Sequence, residues 1–161
     1  MADERVEKHL RGSRILYGSM FVSIGIFVAV ANMAVQTRDP QTPIPQPELA
    51  HEPFSQPLVL ALIAVAVMII AITPFLRQRL LPPRTYGHGG GDVRRALSRL
   101  VGAQVLSWGL TEVVGVFGLI LTMLSYEPRF VFGFCAVAAL VMLAYAPSRK
   151  MHEDVARVAS A

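Results

Sequence analysis

Cysteine is almost missing from this chain of 161 residues: Cys135 is the only one. A single thiol excludes a disulfide within the chain and any cysteine-built metal site. Charge is scarce as well. Asp, Glu, Lys and Arg together make up 16% of the residues, against roughly 25% in ordinary soluble domains. There are four histidines and one tryptophan. From so few polar groups no His cluster, carboxylate pair or nucleophile–base pair can be assembled at membrane depth, so neither an enzyme, a metal centre nor a cofactor is expected. What fills the chain instead is apolar: 53% hydrophobic residues and a mean hydropathy of +0.49.

The apolar residues fall in four runs, at about 15–35, 57–76, 100–124 and 130–146. The first three reach the roughly 20 residues that a helix needs to cross the hydrocarbon core, and the fourth sits at the short end of that range. The expected architecture is all-α: a single polytopic membrane domain over residues 1–161 with four transmembrane helices. Thirteen of the fifteen Lys and Arg residues precede the first run, lie between the second and third, or follow the fourth; only Arg38 and Arg129 lie on the other side. The positive-inside rule then puts both termini and the central loop in the cytoplasm. A pI of 9.7 is explained by this bias. Membrane lipids are therefore the expected partners of the arginines, and nucleic acid is not. Ala29-Val30-Ala31 has the form of a signal-peptide cleavage site, but the acidic leader and the length of the run favour an uncleaved first helix.

Between the runs the composition changes. Residues 37–56 are rich in proline and are expected to form an extended outer strap. Residues 77–99 form a basic loop containing Gly87-His88-Gly89-Gly90-Gly91, which reads as a flexible linker with Asp92 as the N-cap of the third helix. Pro74 is expected to end or kink the second helix. Residues 1–14 suit a short surface helix, with Val6 and Leu10 on one face. After Pro147, Met151, Val155 and Val158 suggest a short amphipathic tail.

One residue stands out against this apolar background. Glu112 falls near the middle of the third run, where a carboxyl costs on the order of 2.5–3.5 kcal/mol to insert. Helical spacing places Gln104, Trp108, Glu112 and Gly115 on one face. Beside it runs a small-residue ladder, Ala103, Ser107, Thr111 and Gly115, with Gly118 beyond; such residues let another helix come close in lipid. Val114 reads as off this face. No Lys, Arg or His lies in the other three spans. Candidate partners are therefore Ser23, the best match in depth, and Ser19, Tyr17 and Asn32 of the first helix, with Trp108, Thr111 and Gln104 of its own. Lacking a cation, the carboxyl is expected to be protonated and to donate a hydrogen bond.

The stretch 106–120, with Glu112 followed by Phe117-Gly118-Leu119, resembles the carboxylate-bearing helix of the ATP synthase rotor-ring proteolipid, its c subunit. That resemblance implies a proton- or cation-binding role for Glu112, with Trp108, Thr111 and Ser23 around it. The second helix departs from the pattern in having no glycine. Along its whole length the chain looks more like a group of small bacterial four-helix membrane proteins. They share Trp-x-Leu-x-Glu-x-x-x-x-Phe-Gly-Leu on the third helix and have no established activity. The function expected from this reading is a small integral subunit or accessory protein packing with itself or with a larger membrane complex. The alternative is a proteolipid that binds a proton or cation at Glu112.

Overall fold

A computed structural model describes residues 2–39, 41, 43–44, 56–80 and 93–160. Every regular element among them is a helix: α1 (Ala2–Gln36), α2 (Pro57–Leu80), α3 (Val93–Ser125), α4 (Arg129–Ala144) and α5 (Arg149–Ser160). The first three are long and apolar enough to cross a membrane. The fourth qualifies only together with α5, from which it is bent by 46°. At 1.5 Å per residue α4 alone spans about 24 Å, short of a hydrocarbon core of roughly 30 Å. The chain is thus all-helical with three candidate spans, or four if the bent pair is counted as one. The Gly-rich run, the Asp92 cap and most of the Pro-rich strap lie outside the described residues.

Two element boundaries differ from expectation. Residues 2–14 are not a separate surface helix; they continue without a break into the first span. Favourable spacing of Glu4 with Lys8 and of Glu7 with Arg11 supports that extension. The second helix runs through Pro74 to Leu80, so Arg77 and Arg79 are helical rather than part of a loop. Thr73 Oγ1 donates to the Ile69 carbonyl in the turn before the proline, where side-chain hydroxyls commonly re-satisfy backbone groups in membrane helices. Helix α5 is amphipathic as expected: Val155 packs on the Val6–Leu97–Ala156 cluster and Met151 is half-buried, but the buried centre of that face is His152 and Ala156, and Val158 is exposed.

Helix α3 is the centre of the molecule. Of its apolar stretch 44% is buried, against 11% in α1 and 17% in α2, and it packs against all four other helices. Its inward seam is regular. Leu97, Leu100, Gln104, Ser107, Thr111, Val114, Gly118, Leu121 and Ser125 are all buried, at alternating steps of three and four residues. That is the period of left-handed helix packing. Val114, expected to lie off the packed face, belongs to this seam and is 1% exposed. The outward sides of α1 and α2 present Ile15, Val22, Met33, Val67, Met68 and Phe75, the apolar belt that lipid would cover.

The hairpin from α3 to α4 is closed by Thr122. Its hydroxyl donates to the Glu127 carbonyl at 3.2 Å and accepts from the Val131 amide at 3.1 Å. Tyr126 adopts a left-handed backbone (φ 56°) after α3, and Arg38 lies 4.8 Å from its ring centroid. At the opposite end Val6, Leu97 and Ala156 form one apolar cluster, and Arg77 reaches Met151 Sδ at 3.2 Å. The basic start of α1, the end of α2, the start of α3 and α5 therefore meet at a single end of the bundle.

Candidate functional site

Glu112 sits one residue beyond Thr111, on the shoulder of the α3 seam that faces α1. It is half-buried, as is Ser23. The structure brings these two together: Ser23 Oγ lies 2.5 Å from Glu112 Oε1. The same hydroxyl is 2.7 Å from the carbonyl oxygen of Met20, one turn back on its own helix. Both helices run in the same direction from the basic end, so residues 23 and 112 are matched in depth.

The other residues expected around the carboxyl are turned elsewhere. Trp108 is fully buried, and its indole N–H donates to the Tyr145 carbonyl at 3.1 Å. That carbonyl is freed by the end of α4, so the tryptophan ties the centre of α3 to the α4–α5 joint. Thr111 Oγ1 donates to the Ser107 carbonyl at 2.8 Å, and Ser107 Oγ to the Ala103 carbonyl at 2.7 Å. These hydroxyls satisfy themselves on their own helix, as Ser and Thr commonly do in apolar surroundings. Trp108 and Thr111 are therefore neighbours in sequence to the carboxyl and not its partners. On α1, Ser19 Oγ donates to the Leu16 carbonyl at 2.8 Å. Asn32 lies nine residues beyond Ser23, about 14 Å along the helix.

The small residues are engaged within the chain. A Cβ at Gly118 would come within 2.7 Å of Phe134 Cβ and 2.9 Å of the Phe130 carbonyl oxygen, so this glycine is where α4 approaches α3. At Gly115 the nearest atoms are the Phe27 ring at 3.3 Å and Cys135 Sγ at 3.6 Å. Ala103 and Ser107 are 1% and 3% exposed. The ladder is internal packing, with no part of it left open for a partner helix.

Two polar groups near the site have no counterpart. Gln104 is 1% exposed. Neither polar atom of its side chain has a hydrogen-bond partner among the described residues, and the same holds for the buried hydroxyl of Tyr17. The Tyr17 and Trp108 rings meet edge to face, with centroids 5.4 Å apart. Toward the basic end, Ser13 and His152 are both fully buried. Ser13 Oγ is 3.5 Å from His152 Nε2 and His152 Nδ1 is 2.9 Å from the Ser148 carbonyl. A carbonyl only accepts, so Nδ1 is the donor in that contact. Sequence reasoning missed this pair. The one signal was Ala156 four residues after His152, a spacing that puts both on one face of α5.

Among the described residues no group of three or more His, Cys, Asp or Glu could hold a metal ion. Compared with protein-family models, curated proteins and solved structures, the chain matches none. The class that fold and composition define is a multi-pass, all-helical membrane protein with a carboxyl at the middle of its central helix.

Proposed function

We propose that Glu112 is a proton-binding site, its carboxyl protonated and held against Ser23 at bilayer depth. One observation carries this reading. The Ser23 hydroxyl has a single proton and stands at hydrogen-bond distance from two oxygens, Met20 O and Glu112 Oε1. The Met20 carbonyl can only accept. If Ser23 gives its proton to that carbonyl, the close approach of the carboxyl is favourable only when the carboxyl supplies a proton of its own to Ser23 Oγ. A neutral carboxyl also removes the cost of a bare charge in hydrocarbon. The partial burial of Glu112 leaves part of the carboxyl open to the lipid phase, from which a hydrophobic reagent can reach it.

The topology that goes with this reading puts the shared basic end in the cytoplasm. Both termini then lie inside, and the protein resides in the cytoplasmic membrane of a bacterium. A second reading is a subunit that packs in an oligomer or larger complex. It draws on an apolar cleft of about 410 Å³ between α2, α3 and α4, lined by Val59, Ile63, Ala66, Val67, Val114 and Phe134. For a chain with Cys135 replaced, Val67→Cys should then give a disulfide-linked dimer in native membranes; monomer alone contradicts it.

The test of the proton site is modification by a hydrophobic carbodiimide, which reacts with protonated carboxyls from the lipid phase. Mass spectrometry should find Glu112 modified at neutral pH, with modification falling as pH rises. Glu112→Gln should remove it. No modification of Glu112 at any pH overturns the proposal.

A further inference from the structure

The basic end of the bundle holds a pocket that the Glu112 site does not use. It has a volume of about 420 Å³ and is lined by Val6, Glu7, Leu10, Arg11, Arg14 and Arg149. Its floor is apolar: Val6 and Leu10 are buried, and Val6 packs with Leu97 and Ala156. Its walls are cationic. Arg11 and Arg14 stand three residues apart, so they share one side of α1, and Arg149 meets them from the first turn of α5. The buried Ser13–His152 contact, at 3.5 Å, holds the two helices together beside the pocket. The fold, and not the sequence alone, therefore gathers these three guanidiniums.

Charge distinguishes this pocket from an ordinary surface hollow. Arg149 Nε is 2.5 Å from the Glu153 carboxylate, but neither Arg11 nor Arg14 is in an ion pair with any described residue. Two like charges one turn apart on a helix repel each other. Glu7 lines the same pocket and lowers its charge without cancelling it. Three guanidiniums against the carboxylates of Glu7 and Glu153 leave one positive charge, the complement of one phosphodiester. A guanidinium suits that group, because its planar fork meets two phosphate oxygens at once.

Depth points to a lipid as the source of the phosphate. Arg14 is the last charged residue before the apolar run that begins at Ile15. The rise from Arg11 to Arg14 is about 4.5 Å, within the roughly 5–7 Å that each headgroup layer adds to the hydrocarbon core. Ile15, Gly18 and Val22 then follow Arg11 at steps of four, three and four, on one face of α1. Ile15 and Val22 are exposed, and a Cβ at Gly18 would meet nothing within 4 Å. A cationic pocket at headgroup depth thus opens onto a bare apolar strip.

We propose that this pocket binds an anionic phospholipid, with Arg11, Arg14 and Arg149 on its phosphate and an acyl chain along Ile15, Gly18 and Val22. Basic pockets between membrane helices are a recurring seat for anionic headgroups. The site is independent of the protonation of Glu112.

The test uses the full-length protein in a neutral detergent, with dioleoylphosphatidylglycerol and dioleoylphosphatidylcholine added in equal amounts and bound lipid read by native mass spectrometry. The protein should retain one phosphatidylglycerol in preference to phosphatidylcholine. Replacing both Arg11→Gln and Arg14→Gln should weaken that binding by roughly thirtyfold, the loss expected of two arginines at an anionic lipid surface. Replacing both Arg95→Gln and Arg99→Gln makes the same charge change at the same end outside the pocket, and should leave binding nearly unchanged. Glu7→Gln removes a negative charge from the pocket and should tighten binding by about fivefold, a gain that misfolding cannot imitate. Equal retention of the two lipids overturns the proposal, as does a first double variant that binds like the second. Inorganic phosphate should not displace the lipid; displacement would assign the pocket to soluble phosphate and overturn the lipid as its occupant.

Discussion

Adding one methyl group at Gly118 should destabilise the bundle, whereas adding one at Gly109 should not. A Cβ at Gly118 would stand 2.7 Å from Phe134 Cβ, 2.9 Å from the Phe130 carbonyl oxygen and 3.0 Å from Val131 Cα. Two of these three are backbone atoms of α4 and the third is anchored directly to it, so no side-chain rotation relieves the overlap. The whole of α4 must move away from α3. Overpacking of this kind costs about 1–3 kcal/mol. Against that, exchanging a helical glycine for alanine gains up to about 1 kcal/mol in helix propensity. Gly118→Ala should therefore lose up to about 2 kcal/mol net and be about 1–3 kcal/mol less stable than Gly109→Ala, which makes the same propensity gain. Gly109 has nothing within 4 Å of its Cβ position, so Gly109→Ala should hold stability or raise it slightly. Gly115→Ala should fall between them, since the Phe27 ring at 3.3 Å can turn. The assay is reversible unfolding in detergent followed by helical circular dichroism, with the three variants side by side. If Gly118→Ala and Gly109→Ala unfold together, α4 is not packed on α3 at residue 118, and the internal use of the small-residue ladder is refuted.

Four further outcomes can be checked with the same material. Ser23→Ala should cost about 0.6 kcal/mol and no more than about 1.7, the average and the maximum for hydrogen bonds between membrane helices. Glu112→Gln, which keeps both shape and a donor, should unfold at nearly the wild-type midpoint; a large loss in Glu112→Gln would mean that the group is bound as an anion. His152→Ala should release α5 and speed trypsin cleavage at Arg149 and Lys150, whereas Asp154→Ala on the exposed side should not. Arg77→Gln, which removes a guanidinium 4.8 Å from the Tyr145 ring, should cost about 0.5–2 kcal/mol in the unfolding assay. For topology, a cysteine in place of the exposed Gln41 should be labelled by an impermeant reagent from outside intact cells; labelling only after lysis reverses the proposed orientation.

Much of the helical architecture was legible because length and apolarity dictate it: a run such as 57–76 has few other structures open to it in lipid. The pairing of Ser23 with Glu112 was legible for a similar reason, since depth along two helices starting at the same end left few donors to choose from. Other features were not. The helical residues 2–14 merge with the first span although Gly12-Ser13 offers a possible stop and restart; burial of Val6, Leu10 and Ser13 against the rest of the bundle carries the helix through. The inward face of α3 was read from a ladder of small residues at four-residue steps. Those ladder residues are buried, and the packed face is wider than the ladder: it also takes in a seam at alternating steps of three and four, which draws Val114 inward and sets Glu112 on its shoulder. Trp108 and Thr111 were grouped with the carboxyl by proximity along the helix. Sequence alone could not show that each spends its donor on a backbone carbonyl, nor that α5 folds back to bury His152 beside Ser13.

The proposed site requires a proton on Glu112 at neutral pH. It is tested most directly by the infrared difference spectrum between the wild-type protein and Glu112→Gln, both reconstituted in lipid at neutral pH. A protonated carboxyl has a carbonyl stretch clear of the amide and carboxylate bands, and it should be present in the wild type and missing from the variant. In Ser23→Ala the band should persist but move, because its hydrogen-bond acceptor is gone. A wild-type difference showing only carboxylate bands would contradict the account, because Glu112 would then be an anion and Ser23 its donor.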